Sequence, residues 1–495
     1  MVESIVQGIS VLFQPQVFLG MFLAVIGGLI FGILPGLAGM TFMAIFIPFT
    51  WGMDPFLAMV ILVSGYAVAC TGGSITAVLV NIPGTGPNAA TTLDGFPLTK
   101  QGKAGRALGA ALAASGLGGV EGALVLALLI PFVMPIVMAF GSPESFCLIA
   151  MGLTFIATLG QESKAKGAIS GLLGLLLAFI GYHDATGVAR FTFGSTFLLD
   201  GVKVIPCALA IFALPEMMNL MLTGGAIVKE DIVARPAAVD IWEGIKDVFR
   251  HYWLHLRATL IGVWVGIVPG VGGDIAVWVA YGHAKATSRH PETFGEGNIE
   301  GVIAPESANN GKEGGAMLPT LALGIPGSGA MAVLLGAFLI QGIQPGPSFL
   351  SEHLDMTWTI IGALVLSNIL GAVISLFVAP FLIKVTRIRG HLLAPFLLSI
   401  TALGAYSYRN SLGDVFLMIG LAFLGWTIKQ LGYSRPAFFL GYVLGGLAER
   451  YFGISYSAKG WKFFLTPISL VIIALTVLSV FYQPLINYIK RKRVT

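Results

Sequence analysis

Charge is what this chain has least of. Only 11% of its 495 residues are Asp, Glu, Lys or Arg, while 56% are hydrophobic and the mean hydropathy is +0.87. A soluble globular chain carries about 25% charged residues, so a water-soluble fold is excluded and a polytopic membrane protein is expected. Cysteine is also scarce. Cys70, Cys147 and Cys207 sit in or beside apolar stretches with no paired spacing, which excludes a disulfide framework and a thiolate metal site. The seven histidines, among them His251, His255, His283 and His290, form no HExxH or Cys/His pattern, so no transition metal is expected. No GxxxxGK[ST] loop is present to handle ATP, and "GTGPNA" has no strand before it that would make it a nucleotide loop. The start, "MVESIVQGIS", lacks a basic region ahead of a short apolar stretch, so the first helix is expected to stay. The net charge of +4 sits largely in short loops and the tail Lys490–Arg493. That placement predicts topology, with the C-terminus cytoplasmic, rather than binding to nucleic acid.

What the chain has instead is long apolar runs. Stretches such as "VFLGMFLAVIGGLIFGIL" and "TPISLVIIALTVLSVFYQPLI" approach the length that crosses a hydrocarbon core of about 30 Å, and roughly a dozen such segments are predicted. The expected fold is all-α and lies within the lipid bilayer. Two motifs recur in the same order. "GILPGLAG" (Gly32 to Gly39) returns as "GIVPGVGG" (Gly266 to Gly273), and "GGSITAVLVNIPGTG" (Gly72 to Gly86) returns as "GGAMLPTLALGIPGSG" (Gly314 to Gly329). Repeated halves of this kind build transporter sites at their interface. Residues 1–223 are read as an N-terminal half with extra helices and 258–495 as a C-terminal half with extra helices. Residues 224–257, with five Lys or Arg, form a cytoplasmic amphipathic linker. The loop "FPLTKQGKAGR" after the first tip is basic, whereas "GPSFLSEHLD" after the second carries Glu352 and Asp355 and no Lys or Arg. The two halves are therefore predicted to be inverted repeats.

Proline and glycine in "PGTG" and "PGSG" should unwind the chain, giving discontinuous or re-entrant helices at the midplane. Counted from Ser74, the helix before Pro83 is only nine residues, about 14 Å, and would end halfway through the core. Non-helical backbone at that depth survives only when buried in protein or lining a wet cavity. The freed N–H groups of the following half-helix bind anions without a basic side chain. The candidate substrate-binding residues are Asn81, Pro83, Gly84, Thr85, Gly86, Pro326, Gly327, Ser328 and Gly329. Oxygen-bearing groups nearby suit a small hard cation, with Ser74, Asn309, Asn310, Glu313 and Asp274 as candidates. Glu121 and Glu216 also lie in apolar runs, Glu216 near a helix end where a paired structural role competes. Asp94 in "LDGFP" reads as a turn residue or a gating contact.

On "LPGLAG", "NIPGTGP" followed by "TTLDGFPLTKQGKAGRALGAA", "PESANNGKEGGAMLPTLALGIPGSG" and "GIQPGP", the chain resembles the tripartite tricarboxylate transporter family, large membrane subunit of the TctA type, over nearly its whole length. The resemblance implies a secondary active permease of the bacterial inner membrane. Its implied partners are a small four-helix membrane subunit and a periplasmic solute-binding protein, and its implied activity is uptake of citrate or another carboxylate by cation symport, usually with sodium. The "GKEGG" stretch, with Lys312 and Glu313, departs from the alanine-rich stretch common in that family. Import of a trianion into a negative interior costs about 7 kcal/mol per 100 mV, from ~2.3 kcal/mol per charge, so it must be driven. A receptor-independent carboxylate exchanger or channel is the alternative. An intramembrane enzyme using Asp274 or Glu313 is a more distant one, since no nucleophile and base pair accompanies them.

Overall fold

The computed structural model describes residues 1–34, 36–155, 163–183, 186–223, 238–268, 273–382 and 390–478. Among them are 20 α-helices and one two-stranded antiparallel ribbon, Gly181–Tyr182 against Ala189–Arg190. Six helices are long and apolar enough to cross a membrane: Pro15–Ile33, Pro55–Val80, Ala104–Met138, Val204–Leu222, Leu354–Ala379 and Leu412–Gln430. Arg435–Leu465 and Pro467–Leu478, bent by 67°, make a seventh if taken as one span. The dozen expected from apolar runs is thus too many by this measure. Several runs are cut into shorter helices, such as Val2–Val11, Gly39–Thr50 and Gly329–Ile340. The long helix Glu300–Leu323 carries Glu306, Lys312 and Glu313 in its middle and is too polar to count.

Two long helices are buried on all sides. Nearly every residue from Ala58 to Val80 in Pro55–Val80, and every residue from Gly301 to Ala322 in Glu300–Leu323, is buried. The latter packs between Ala104–Met138 and Tyr252–Ile267. With no hydrophobic drive between helices in lipid, such contacts rest on close packing of small residues. A Cβ on Gly118 would collide with the Ser307 carbonyl, one on Gly314 with that of Gly122, and one on Gly315 with that of Val263. The glycines therefore let three backbones touch. Apolar side chains such as Phe132, Trp253, Trp264 and Phe377 cover the outer surface.

Each buried helix leads through a break into a short arm. Pro55–Val80 is followed by Ala89–Lys100, and Glu300–Leu323 by Gly329–Ile340, each short arm having 12 residues, about 18 Å at 1.5 Å per residue. The first long arm starts at Asp54, which caps it through the N–H groups of Phe56 and Leu57. The 14 Å expected from Ser74 is therefore corrected. The helix before Pro83 is 26 residues long, because Pro55 at its first position and Asp54 at its cap begin it well upstream. It is the arm after each break that is half-length.

The glycine contacts generate a test. Gly314→Val should cost about 3 kcal/mol by overpacking and lower the thermal unfolding temperature in detergent. Gly282→Ala, at a position with nothing within 4 Å of its Cβ, should leave that temperature unchanged or raise it slightly.

Candidate functional site

The two breaks solve one backbone problem in the same way. Asn81 (φ 56°) and Gly324 (φ 68°) end their helices in the left-handed conformation. The N–H groups of Asn81 and Ile82 then return to the Thr76 carbonyl, and those of Gly324 and Ile325 return to the Pro319 carbonyl. A Cβ on Gly84 would collide with the Gly32 carbonyl; one on Gly327 would lie 2.8 Å from the Gly266 carbonyl oxygen and 2.7 Å from Ala316 Cα. Each tip thus rests on the helix that leads into a "PG" motif. Pro35 and residues 269–272 of those motifs lie outside the described residues.

The short arms open with side-chain caps. Thr85 and Asn88 form a reciprocal cap at the first tip. At the second, the Ser328 hydroxyl accepts from Met331 N–H and the Ser328 carbonyl from Ala332 N–H, which leaves the N–H groups of Gly329 and Ala330 without an intrahelical acceptor. Gly86 is exposed and Ser328 and Gly329 are half-buried, whereas Gly84, Thr85, Pro326 and Gly327 are buried. Beside Gly329 lies Pro436: a Cβ on the glycine would be 2.7 Å from that ring. The neighbouring Arg435 donates to Glu216 at 2.8 Å, and Lys429 to the same carboxylate at 2.5 Å. Two cations against one carboxylate leave a positive excess on this flank. Glu216 therefore has the paired role that its helix-end position suggested, and Gly36 of the first "PG" motif lies against it.

Between the tips runs a buried polar layer. Glu306, fully buried, accepts from Ser74 Oγ at 2.7 Å, Thr91 Oγ1 at 2.5 Å and Asn88 Nδ2 at 3.3 Å. Asn309, one turn on, faces the same carboxylate without meeting any group at hydrogen-bond geometry. Asn310 turns the other way and donates to Thr71 Oγ1 at 2.9 Å and Asn368 Oδ1 at 2.7 Å. Glu313 pairs with Lys312 and accepts from Tyr66 Oη at 2.6 Å, and Ser328 faces that same hydroxyl. Of the cation candidates named from sequence, Ser74 and Asn309 thus come together at one carboxylate, while Asn310 and Glu313 belong to neighbouring clusters. Asp274 sits at the start of helix Gly273–Thr287, and its side chain lies outside the described residues.

Sequence reasoning missed Glu306, Asn88, Thr91 and Tyr66. The signal was available for the first of these. Glu306, Asn309, Asn310 and Glu313 fall at i, i+3, i+4 and i+7, one face of a helix.

Two other groups are structural bridges. Glu121 meets Tyr252 Oη at 2.9 Å and His255 Nε2 at 3.1 Å, and His255 Nδ1 lies 2.6 Å from Ser307 Oγ, linking three helices. Asp94 accepts the N–H groups of Gly295, Gly297 and Asn298 at 2.8–2.9 Å and the hydroxyl of Tyr281 at 2.8 Å. Burial, then this carboxylate, pushes the Tyr281 phenol up. Asp94 thus ties the first short arm to the loop that leads into Glu300–Leu323. The linker's second part forms helix Ala238–Arg250, packed on Ala104–Met138; its residues 224–237, like Lys490–Arg493, lie outside the described residues.

The profile of the tripartite tricarboxylate transporter TctA family matches residues 18–440. An uncharacterised 52.8 kDa protein in the TAR-I ttuC' 3' region of Agrobacterium vitis is 32% identical over 451 residues, 91% of this chain and 89% of that protein. A second uncharacterised Agrobacterium vitis protein, in the TAR-II ttuC' 3' region, is 35% identical over 190 residues, 38% of this chain and 78% of its own length. No solved structure matches.

The Asp94 clamp is open to test. Asp94→Ala would orphan three backbone donors, at about 1–3 kcal/mol for the first lost partner. Hydrogen exchange of residues 293–299 should rise at least tenfold, with exchange in Ala104–Met138 unchanged.

Proposed function

The chain belongs to the tripartite tricarboxylate transporter TctA family, and from that membership we propose that it imports citrate-like tricarboxylates or related carboxylates together with sodium. It is a multi-pass membrane permease and not an enzyme. In this reading a periplasmic solute-binding protein delivers the substrate and a small four-helix membrane subunit accompanies the chain. The site of action is the bacterial inner membrane, with the C-terminus in the cytoplasm. Residues 1–223 and 258–495 act as two inverted halves joined by 224–257, with their tips near the midplane.

The observation that carries the reading is the pair of matched tips. Each combines a left-handed helix end, a glycine pressed on an upstream backbone and a short arm opened by a side-chain cap, Thr85 with Asn88 or Ser328. The tips present hydroxyls and main chain, as suits a multiply charged anion, and Arg435 adds its guanidinium beside the second. Transport then alternates by movement of one tip-bearing region against the rest.

Uptake of labelled citrate and other carboxylates into proteoliposomes that contain the chain, its small partner and the binding protein tests this. Uptake should require both the receptor and an inward sodium gradient. Ser328→Ala and Arg435→Gln should each raise KM about tenfold, the scale of one hydrogen bond to a charged group. Uptake that ignores receptor and gradient would replace this reading with that of an exchanger or channel.

A further inference from the structure

Glu306 is a buried carboxylate without a counter-charge. Among the described residues it forms no ion pair, whereas the buried carboxylates Glu216, Glu313, Asp247 and Asp414 each meet an ammonium or guanidinium. Asp94 and Glu144, which lack one too, accept backbone N–H groups instead, three at Asp94 and that of Gly141 at Glu144, which also takes the Thr466 hydroxyl. Glu306 accepts no backbone N–H: it has two hydroxyls, one long amide contact from Asn88 and the amide of Asn309 facing it. An isolated carboxylate in low dielectric costs several kcal/mol unless a positive charge joins it.

The neighbours are unsettled in a way that points to a missing ligand. Ser74 has one hydroxyl proton, yet lies within hydrogen-bond distance of two acceptors, the Cys70 carbonyl at 3.1 Å and Glu306 Oε2 at 2.7 Å. Asn309, fully buried and facing the carboxylate, has neither its amide oxygen nor its nitrogen in a hydrogen bond. The oxygens gathered here are Oε1 and Oε2 of Glu306, Thr91 Oγ1, Asn309 Oδ1 and Ser74 Oγ, which also accepts from Asn88 Nδ2 at 3.0 Å.

We propose that Glu306, with Ser74, Thr91 and Asn309, holds the coupling sodium ion. One carboxylate neutralises one monovalent cation, and hard neutral oxygens complete its shell. Divalent ions of this kind take more carboxylates, and no group of three His, Cys, Asp or Glu exists among the described residues to hold a transition metal. The ligands come from three helices. Glu306 and Asn309 lie on Glu300–Leu323, Ser74 on the long arm before the first tip and Thr91 on the short arm after it. An ion there clamps the first tip to the second half's central helix, so sodium and substrate sense each other through that tip. Glu313 has no part in it, since Lys312 already balances its charge.

The inference rests on the cation-driven reading above, but its test needs neither receptor nor substrate. Binding of radioactive sodium to the purified full chain is measured by scintillation proximity, with unlabelled sodium or potassium as competitor. Saturable binding that sodium alone displaces is expected. Glu306→Gln, close in shape, should weaken it at least about tenfold, and Asn309→Ala and Thr91→Val severalfold each, as loss of metal-site partners does. The double variant Lys312→Met/Glu313→Gln should retain it. Should Glu306→Gln fail to fold, sodium-induced thermal stabilisation of the wild type, diminished in Thr91→Val and Asn309→Ala, supports the site equally. Unchanged affinity in Glu306→Gln, loss confined to the Lys312/Glu313 variant, or no sodium binding by the wild type would overturn it. Carboxylate uptake that persists in those last cases would leave the permease reading standing and assign the drive to another ion.

Discussion

A chain that interrupts a helix away from water must find partners for every backbone group it frees. In this protein that constraint organises the centre of the fold. Both breaks return two N–H groups to one carbonyl through a left-handed residue, Asn81 or Gly324. Both then press a glycine, Gly84 or Gly327, onto the helix that precedes a "PG" motif, at Gly32 or Gly266. The two repeated motifs are thus one contact made twice. Each needs the other to be small: the same close approach that holds the tip excludes any side chain from it.

On this shared backbone the side chains diverge. Counted back from Pro83 and Pro326, the positions occupied by Val63, Tyr66, Ala67 and Cys70 in the first long helix are occupied by Glu306, Asn309, Asn310 and Glu313 in the second. The ionisable groups of the layer therefore stand on one helix, and the first half answers with hydroxyls: Ser74, Thr91 and Tyr66. A carboxylate that needs donors and hydroxyls that can turn make an interface that holds without being permanently bonded. An interface of two opposed charges would be harder to open, because separating a buried pair leaves each ion unsolvated.

How far the sequence could be read follows from the range of each interaction. The breaks were legible because proline and glycine act locally, and Ser74, Asn309 and Asn310 because polar residues in apolar runs must meet something. Glu306 lies in "PESANNGKEGG" at helical spacing from Asn309, Asn310 and Glu313, so periodicity alone places all four on one face. Asn88 and Thr91 looked like ordinary residues of a helix start, and only the fold brings them to a carboxylate more than 200 positions away. The same is true of Asp94, whose partners are Gly295, Gly297 and Asn298. The span count of the described residues falls below the number of apolar runs for a different reason. Apolar composition reports burial in lipid and burial in protein alike, and Gly329–Ile340 is as hydrophobic as a span at half the length.

The charge inventory constrains the transport cycle as well. Lys312 neutralises Glu313 and travels with the chain, so that pair contributes no net charge to any step. On the proposed site, a single sodium ion at Glu306 would likewise cancel only the carboxylate that binds it, and its coupling value would come from the ion's own passage, one positive charge moving inward. Against a trianion this leaves two negative charges to carry, about 4.6 kcal/mol per 100 mV at ~2.3 kcal/mol per charge. One cation is therefore too few for citrate in its fully ionised form. Either further cations enter at neutral oxygens, as main-chain carbonyls of broken helices provide, or the substrate crosses with protons on its own carboxylates.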